Sequence, residues 1–259
     1  MLVPGLILRS LPYAASPVLW VAVMFAALLI GMPQLRPVFG WAFPAVSPPV
    51  FGRDSFVDLF LSHAGLVALA SLAATLLGIG LAIFVTRPTG RDFRPIVNAL
   101  ATIGQTFPPA AVLALSVPAL GFGPRPTIVA LFLYGLLPII ENAITGLEGV
   151  PAAVRDAAQG MGLSAWQRLR DVELPLAAPA ILAGIRVSVT IAIGTATIGS
   201  TVGTLTLGTP IFDGLAANKL PFVIQGAVLV ALFAILTDMV FARLERRLRI
   251  PSADARSDP

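Results

Sequence analysis

LFLSHAGLVALASLAATLLGIGLAIFVT, residues 59–86, holds 28 consecutive positions without an aspartate, glutamate, lysine or arginine. About 20 mainly apolar residues suffice for a helix to cross the hydrocarbon core of a bilayer. The stretch shows no period-two alternation, and an open strand would leave backbone N–H and C=O groups unpaired in lipid, so it reads as a membrane-spanning helix. Working outward, charge-free runs recur: 26 residues at 10–35, 30 at 95–124, 15 at 126–140, 26 at 187–212 and 18 at 220–237. Together these predict an all-α membrane protein of about six transmembrane helices, at 15–33, 60–85, 96–120, 127–147, 179–204 and 221–241.

Composition agrees. Of 259 residues, 57% are apolar and 12% charged, against about 45–50% and about 25% in soluble domains. That balance excludes a soluble globule and a disordered chain, and the absence of cysteine excludes a disulfide scaffold. The 17 basic residues lie scattered between apolar runs rather than in an aromatic-laced patch, so nucleic acid is not an expected partner. Arg9 precedes the first run, as in a secretory signal peptide, but the run is long and Pro33 follows without a small-x-small site, which favours an uncleaved anchor. With the N-terminus inside, 12 Lys and Arg fall in inner segments and 4 in outer ones, and this predicts both termini on the cytoplasmic side. The outer segment 34–58, rich in Pro and Phe, is expected to lie along the membrane surface, and the polar tail PSADARSDP (251–259) to be disordered.

One inner loop is long and amphiphilic: EGVPAAVRDAAQGMGLSAWQRLRDVELPL, residues 148–176. Pro151 suits the start of a helix that Gly160 weakens, and Gly162 suits a left-handed helix end. Ser164 is placed to cap a second short helix over 165–172, which Pro175 should stop. The expectation is two short helices joined by a sharp glycine turn, with small Ala157 and Ala158 beside exposed Met161 and Leu163, a surface shaped for a partner's groove.

The motif Asp156-Ala157-Ala158, then Gly162, then Val172-Glu173-Leu174-Pro175 resembles the cytoplasmic motif of binding-protein-dependent ABC importer permeases: Glu-Ala-Ala, three residues, Gly, nine residues, Ile, one residue, Leu-Pro. The spacing matches throughout, with Asp156 in place of Glu and Val172 in place of Ile. Flanking stretches, Gln105-Thr106-Phe107-Pro108-Pro109, Ile128 to Ile140, Gly160-Met161-Gly162, Ala183-Gly184-Ile185-Arg186 and Ile193-Gly194-Thr195-Ala196-Thr197, are similar to permeases for osmoprotectants such as glycine betaine, choline, proline betaine and carnitine. The likeness spans about 58–242, and the family's glycine-rich stretch after the fifth span is altered at Gly199 to Gly208.

This resemblance implies the type I ABC importer permease fold in the bacterial cytoplasmic (inner) membrane. Its organisation would be an N-terminal anchor and outer loop (1–57), a transmembrane domain (58–242) with a coupling loop (149–176), and a cytoplasmic tail (243–259). Asp156, Ala157, Ala158, Gly162, Val172, Leu174 and Pro175 would couple to an ABC ATPase. A second permease, identical or a paralogue, and a periplasmic or lipid-anchored solute-binding protein would complete the machine. The residues support that division of labour. A phosphate-binding loop needs a lysine after glycine, and the sole lysine, Lys219, follows Asn218. The chain is therefore expected to be a transport subunit and not an enzyme, with no cofactor of its own and ATP-Mg on the partner ATPase.

Ionisable groups inside a membrane are costly and mark structure or function. Arg186 and Glu141 sit at similar depth, compatible with a structural ion pair, a place on a solute path, or snorkelling. Asp238 with Arg243 reads as an interface anchor. His63, the sole histidine, lacks the partners that metal or proton-relay duty requires. Adjacent Pro108 and Pro109 should break the third span near Thr106 and Phe107, and broken helices commonly line cavities. Phe107, Phe122 and Tyr134 offer aromatic faces to a quaternary ammonium, while Gly194, Thr195, Ala196, Thr197 and Gly199 allow close packing or a narrow passage. The candidate path is thus Gln105, Thr106, Phe107, Pro108, Tyr134, Glu141, Arg186, Thr195 and Thr197. Rival readings are a permease for another small polar solute such as an amino acid, an ion-coupled secondary transporter with Glu141 as its main carboxylate, and a membrane-embedded enzyme. No inverted repeat and no nucleophile pair or metal spacing favours the last two.

Overall fold

The computed structural model describes residues 17–248, and the expectations for the Arg9 flank and the 251–259 tail lie outside the described residues. No strand occurs among the described residues. The long helices are α1 (Pro17–Gly31), α3 (Phe56–Val85), α6 (Pro124–Glu148), α9 (Leu174–Ala196) and α11 (Leu220–Leu248). Between them lie α2 (Arg36–Ala42), α4 (Arg94–Thr106), α5 (Pro109–Leu120), α7 (Ala152–Gly160), α8 (Ala165–Arg168) and α10 (Thr209–Ala216). Five stretches are long and apolar enough to cross a membrane, and a sixth exists if α4 and α5, bent by 96°, count as one broken span. Six spans were expected, and the third breaks where Pro108 and Pro109 fall.

At two boundaries that differ from expectation the reason is proline at a helix start. The first helical stretch does not end at Pro33 but runs to Ala42 through a 3-10 turn at Met32–Leu35, because Pro33 and Pro37 occupy first-turn positions that need no N–H donor. The outer segment thus begins as helix. Likewise Pro175 does not stop the second loop helix. A π turn at Leu169–Glu173 links α8 to α9, and Pro175 sits in the first turn of α9, so one helical stretch runs from Ala165 to Val202.

Helix α6 lies at the centre, packed between α3 and α9 around Ala74, Ile139, Ile140, Ala143 and Ala177. Lipid is as apolar as leucine, so backbone proximity and van der Waals contact hold such a bundle together. Small residues make the proximity possible. A Cβ at Gly184 would stand 2.7 Å from Asn142 Cβ and from the Pro138 carbonyl, and one at Gly78 would stand 2.8 Å from Ile139 Cγ2. Helix α1 seats on α11 and α3 through rings of Phe25, Phe60 and Phe233, with centroids 5.1–6.1 Å apart. Helix α11 continues to Leu248, beyond the expected end of the last span.

Candidate functional site: a docking loop and a broken helix

The loop between α6 and α9 folds as two helices around glycine. Helix α7 ends at Gly160, Gly162 takes φ +83°, and two hydrogen bonds close the turn: Gly162 N–H to Gln159 O (2.9 Å) and Leu163 N–H to Ala158 O (3.2 Å). This is the Schellman pairing, which satisfies carbonyls that a helix end otherwise leaves open. Ser164 then starts α8 with a capping box: its Oγ accepts from Gln167 N–H (3.3 Å), and its own N–H donates to Gln167 Oε1 (2.8 Å). Two ordered short helices result, as the glycine and serine positions implied.

The motif residues divide by face. Ala158 is buried and fixes α7 to the body, whereas Asp156, Ala157 and Met161 are exposed. Leu163, expected to be exposed, is half-buried, because the left-handed turn folds it back toward the body. Val172 and Leu174 are half-buried, Leu174 against the central core, and Pro175 is exposed.

The broken span forms the second site. Phe107 has extended backbone (φ −70°, ψ 135°), as the residue before proline prefers, and α5 starts at Pro109. The break is tied to α6 in both directions. Gln105 Nε2 donates to the Tyr134 carbonyl (2.7 Å), and the Tyr134 hydroxyl donates to the Phe107 carbonyl. Thr106 Oγ1 bonds back to Ile103 O (2.9 Å). Phe107 and Phe122 are 47% and 78% exposed, leaving their faces free of the subunit's own core. At the end of α9, Thr197 Oγ1 donates to Gly194 O (2.7 Å), and Thr195 and Thr197 are both half-buried.

The expected Arg186–Glu141 ion pair does not form. Arg186 instead grips Asp238 of α11 with two bonds, Nε to Oδ1 at 2.5 Å and Nη2 to Oδ2 at 2.7 Å, and stands 3.5 Å from Glu245 Oε2. Similar depth was the basis for pairing it with Glu141, but depth carries no azimuth: Arg186 faces α11, while Glu141 is exposed on α6 with no ion pair among the described residues. Asp238 is the bidentate partner of Arg186. His63 is fully buried, accepting at Nδ1 from Leu207 N–H (3.2 Å) and facing Ile193 O at Nε2 (3.1 Å). A carbonyl only accepts, so the proton sits on Nε2 and the ring is a strut between α3, α9 and the loop before α10.

Sequence reasoning missed three features. Glu173, 5% exposed, pairs with Arg87. Arg94 Nη1 lies 2.6 Å from Glu148 Oε1. A hydroxyl network joins Thr127 to Thr204 (2.8 Å) and Ser200 to Thr206 (2.9 Å) across the altered glycine-rich stretch. The carboxylates at both ends of the docking loop, Glu148 and Glu173, were the available signal for the first two.

Residues 74–250 match the family described as the binding-protein-dependent transport system inner membrane component. The chain is 44% identical over 186 residues to the osmoprotectant import permease protein OsmY of Salmonella typhimurium, covering 72% of this chain and 79% of that protein. It is 42% identical over 183 residues to the glycine betaine/carnitine/choline transport system permease protein OpuCB of Bacillus subtilis, covering 68% and 84%. Among solved structures, an inward-facing MetNI methionine ABC transporter superposes with a TM-score of 0.66 at 20% identity over 75% of this chain and 96% of that one. An amino acid ABC transporter gives 0.61 at 17% identity over 85% and 98%. The fold is that of a type I ABC importer permease, and the chain belongs to the inner-membrane components of binding-protein-dependent transport systems.

Proposed function

We propose that the chain is the permease subunit of an ATP-driven importer for quaternary-amine osmoprotectants, the class comprising glycine betaine, choline, carnitine and proline betaine. The observation that carries this reading is the docking loop: an exposed α7, closed by a left-handed glycine and braced by a capping box, in the motif spacing. The names of the relatives supply the solute class.

In this reading the Arg-rich end of the bundle is cytoplasmic and both termini lie inside. Helix α7 docks in a groove of an ABC ATPase that holds ATP-Mg, and Asp156, Ala157, Gly162 and Pro175 set the shape and exit angle of the docked loop. A second permease, a copy or a paralogue, covers the exposed faces of α4, α5 and α6, and an outer binding protein delivers solute. The anchor segment (1–57), the transmembrane domain (58–242) and the tail (243–259) are the working divisions. Gln105, Phe107, Tyr134, Glu141, Thr195 and Thr197 border the path, with Glu141 carrying the negative charge that a quaternary amine seeks. Arg186 braces α9 against α11 at its margin.

Energised vesicles decide the driving force. Uptake of glycine betaine should need ATP and survive collapse of ion gradients; uptake that follows the gradient would refute the proposal. Gly162→Val tests the loop. Positive φ strains a β-branched residue by about 1–3 kcal/mol, so transport should be lost while membrane insertion is retained, and unchanged transport would count against docking through this turn.

A further inference from the structure

Each end of the docking loop is ionically fastened to one end of a single short turn, and that turn leads directly into the broken helix. The turn runs from Thr86 to Phe93, between α3 and α4. At its start, Arg87 pairs with Glu173, the last residue of the π turn where the docking loop passes into α9. At its finish, Arg94, the first residue of α4, pairs with Glu148, the last residue of α6, where the docking loop begins. Between the two pairs lies a small polar cavity of about 150 Å³, bordered by Arg87, Arg91, Glu148, Arg155 and Glu173. Arg155 belongs to α7 itself, so docking helix, turn and both loop ends meet around one point.

We propose that these two ion pairs form a double clasp that passes displacement of the docking loop to α4, and through α4 to the break at Phe107. Arg87, Glu173, Arg94 and Glu148 are positioning residues for transport and touch no solute. The proposal rests on the reading that an ATPase grips α7.

The geometry favours this route. Glu173 is 5% exposed, and a carboxylate held in such surroundings is strongly disfavoured once its cation moves away. The turn is short, and Gly90 packs against the Phe84 carbonyl so closely that a Cβ there would stand 2.1 Å from that oxygen, leaving the turn little freedom to yield. One pair alone would act as a pivot about which the loop rotates. Two pairs, at opposite ends of both segments, oppose rotation, so the loop and the turn move as one body. Helix α4 then travels with them, and its far end carries Gln105 and Phe107, both bonded to Tyr134.

The test uses the assembled importer, purified with its ATPase and reconstituted in proteoliposomes, with glycine betaine as the probe. Arg87→Glu and Glu173→Arg should each lower solute moved per ATP hydrolysed by about fivefold, the factor a coupling of about 1 kcal/mol supports, while ATPase co-purification is kept. The double swap R87E/E173R should recover most of the loss. The more exposed pair supplies an independent arm in case a buried reversal fails to assemble: Arg94→Glu and Glu148→Arg lower the same ratio, and R94E/E148R restores it. Singles that transport like wild type, or swaps that rescue nothing in an assembled importer, would overturn the clasp. A second measurement needs no solute. Spin labels at exposed Thr89 and Gln159 should keep one separation with and without ATP in the wild type, and acquire a broadened, nucleotide-dependent distribution in R87E. A wild-type separation that changes with ATP refutes the clasp. If Gly162→Val leaves transport untouched, it is the docking reading that fails.

Discussion

At the scale of single residues, the bidentate Arg186–Asp238 contact makes a specific claim about stability inside the membrane. Removing one partner of a desolvated ion pair leaves an unpaired charge, whereas replacing both with apolar groups of similar size removes the problem. Arg186→Met takes the bidentate cation away from Asp238, while Asp238→Asn leaves Glu245 Oε2 3.5 Å from Arg186 to hold it. Thermal melting of the purified protein should therefore rank Arg186→Met below Asp238→Asn, with the R186M/D238L pair above Arg186→Met. Equal melting of the two single variants would show that Glu245 contributes nothing. From the sequence, Arg186 was open to an ion pair, a place on a solute path or snorkelling, and the structure gives it an anion, Asp238. It could not name the anion, because two carboxylates at plausible depths differ only in the rotation of their helices, which packing decides.

At the scale of elements, the break between α4 and α5 is the feature most directly written in the chain. Two adjacent prolines remove two N–H donors and bias the residue before them to extended backbone, and the structure obeys with a 96° bend. Replacing Pro108 and Pro109 together by alanine restores both donors and permits a straighter span. Uptake should be largely lost while insertion and melting temperature are preserved, measured on one preparation; full uptake would mean that the bend has no part in the path. The loop helices were equally legible, since Gly162 and Ser164 impose local geometry. Proline misled at Pro33 and Pro175. A proline stops a helix only from within, and at the first turn it starts one, so the outcome depended on whether the preceding residues could close a 3-10 or π turn.

On the scale of the whole molecule, the sequence supplied the number and position of spans but not their neighbours, because charge-free runs carry length and no direction. The seating of α1 is an example. Its contact with the bundle runs through Phe25 stacked on Phe233 (6.1 Å) and edge-on to Phe60 (5.1 Å). In a soluble core Phe→Ala costs about 3–5 kcal/mol, but lipid solvates the exposed ring nearly as well as protein does, so Phe25→Ala should cost less, about 1–3 kcal/mol. Melting in detergent and in nanodiscs measures this, and a larger loss would mean that α1 carries more of the fold than its aromatic contacts account for.

The uninterrupted helical stretch from Ala165 to Val202 spans 38 residues. At about 1.5 Å per residue it is about 57 Å long, nearly twice a hydrocarbon core of about 30 Å. On the docking reading proposed above, the Ala165 end of this shaft lies outside the bilayer and serves as the handle of a lever. A tilt of about 5° at the handle would sweep the distant tip by about 5 Å, close to one helical pitch and enough to carry a side chain from one rung to the next. Motion too small to disturb the packing along most of its length is thus magnified where Thr197 and Thr201 stand.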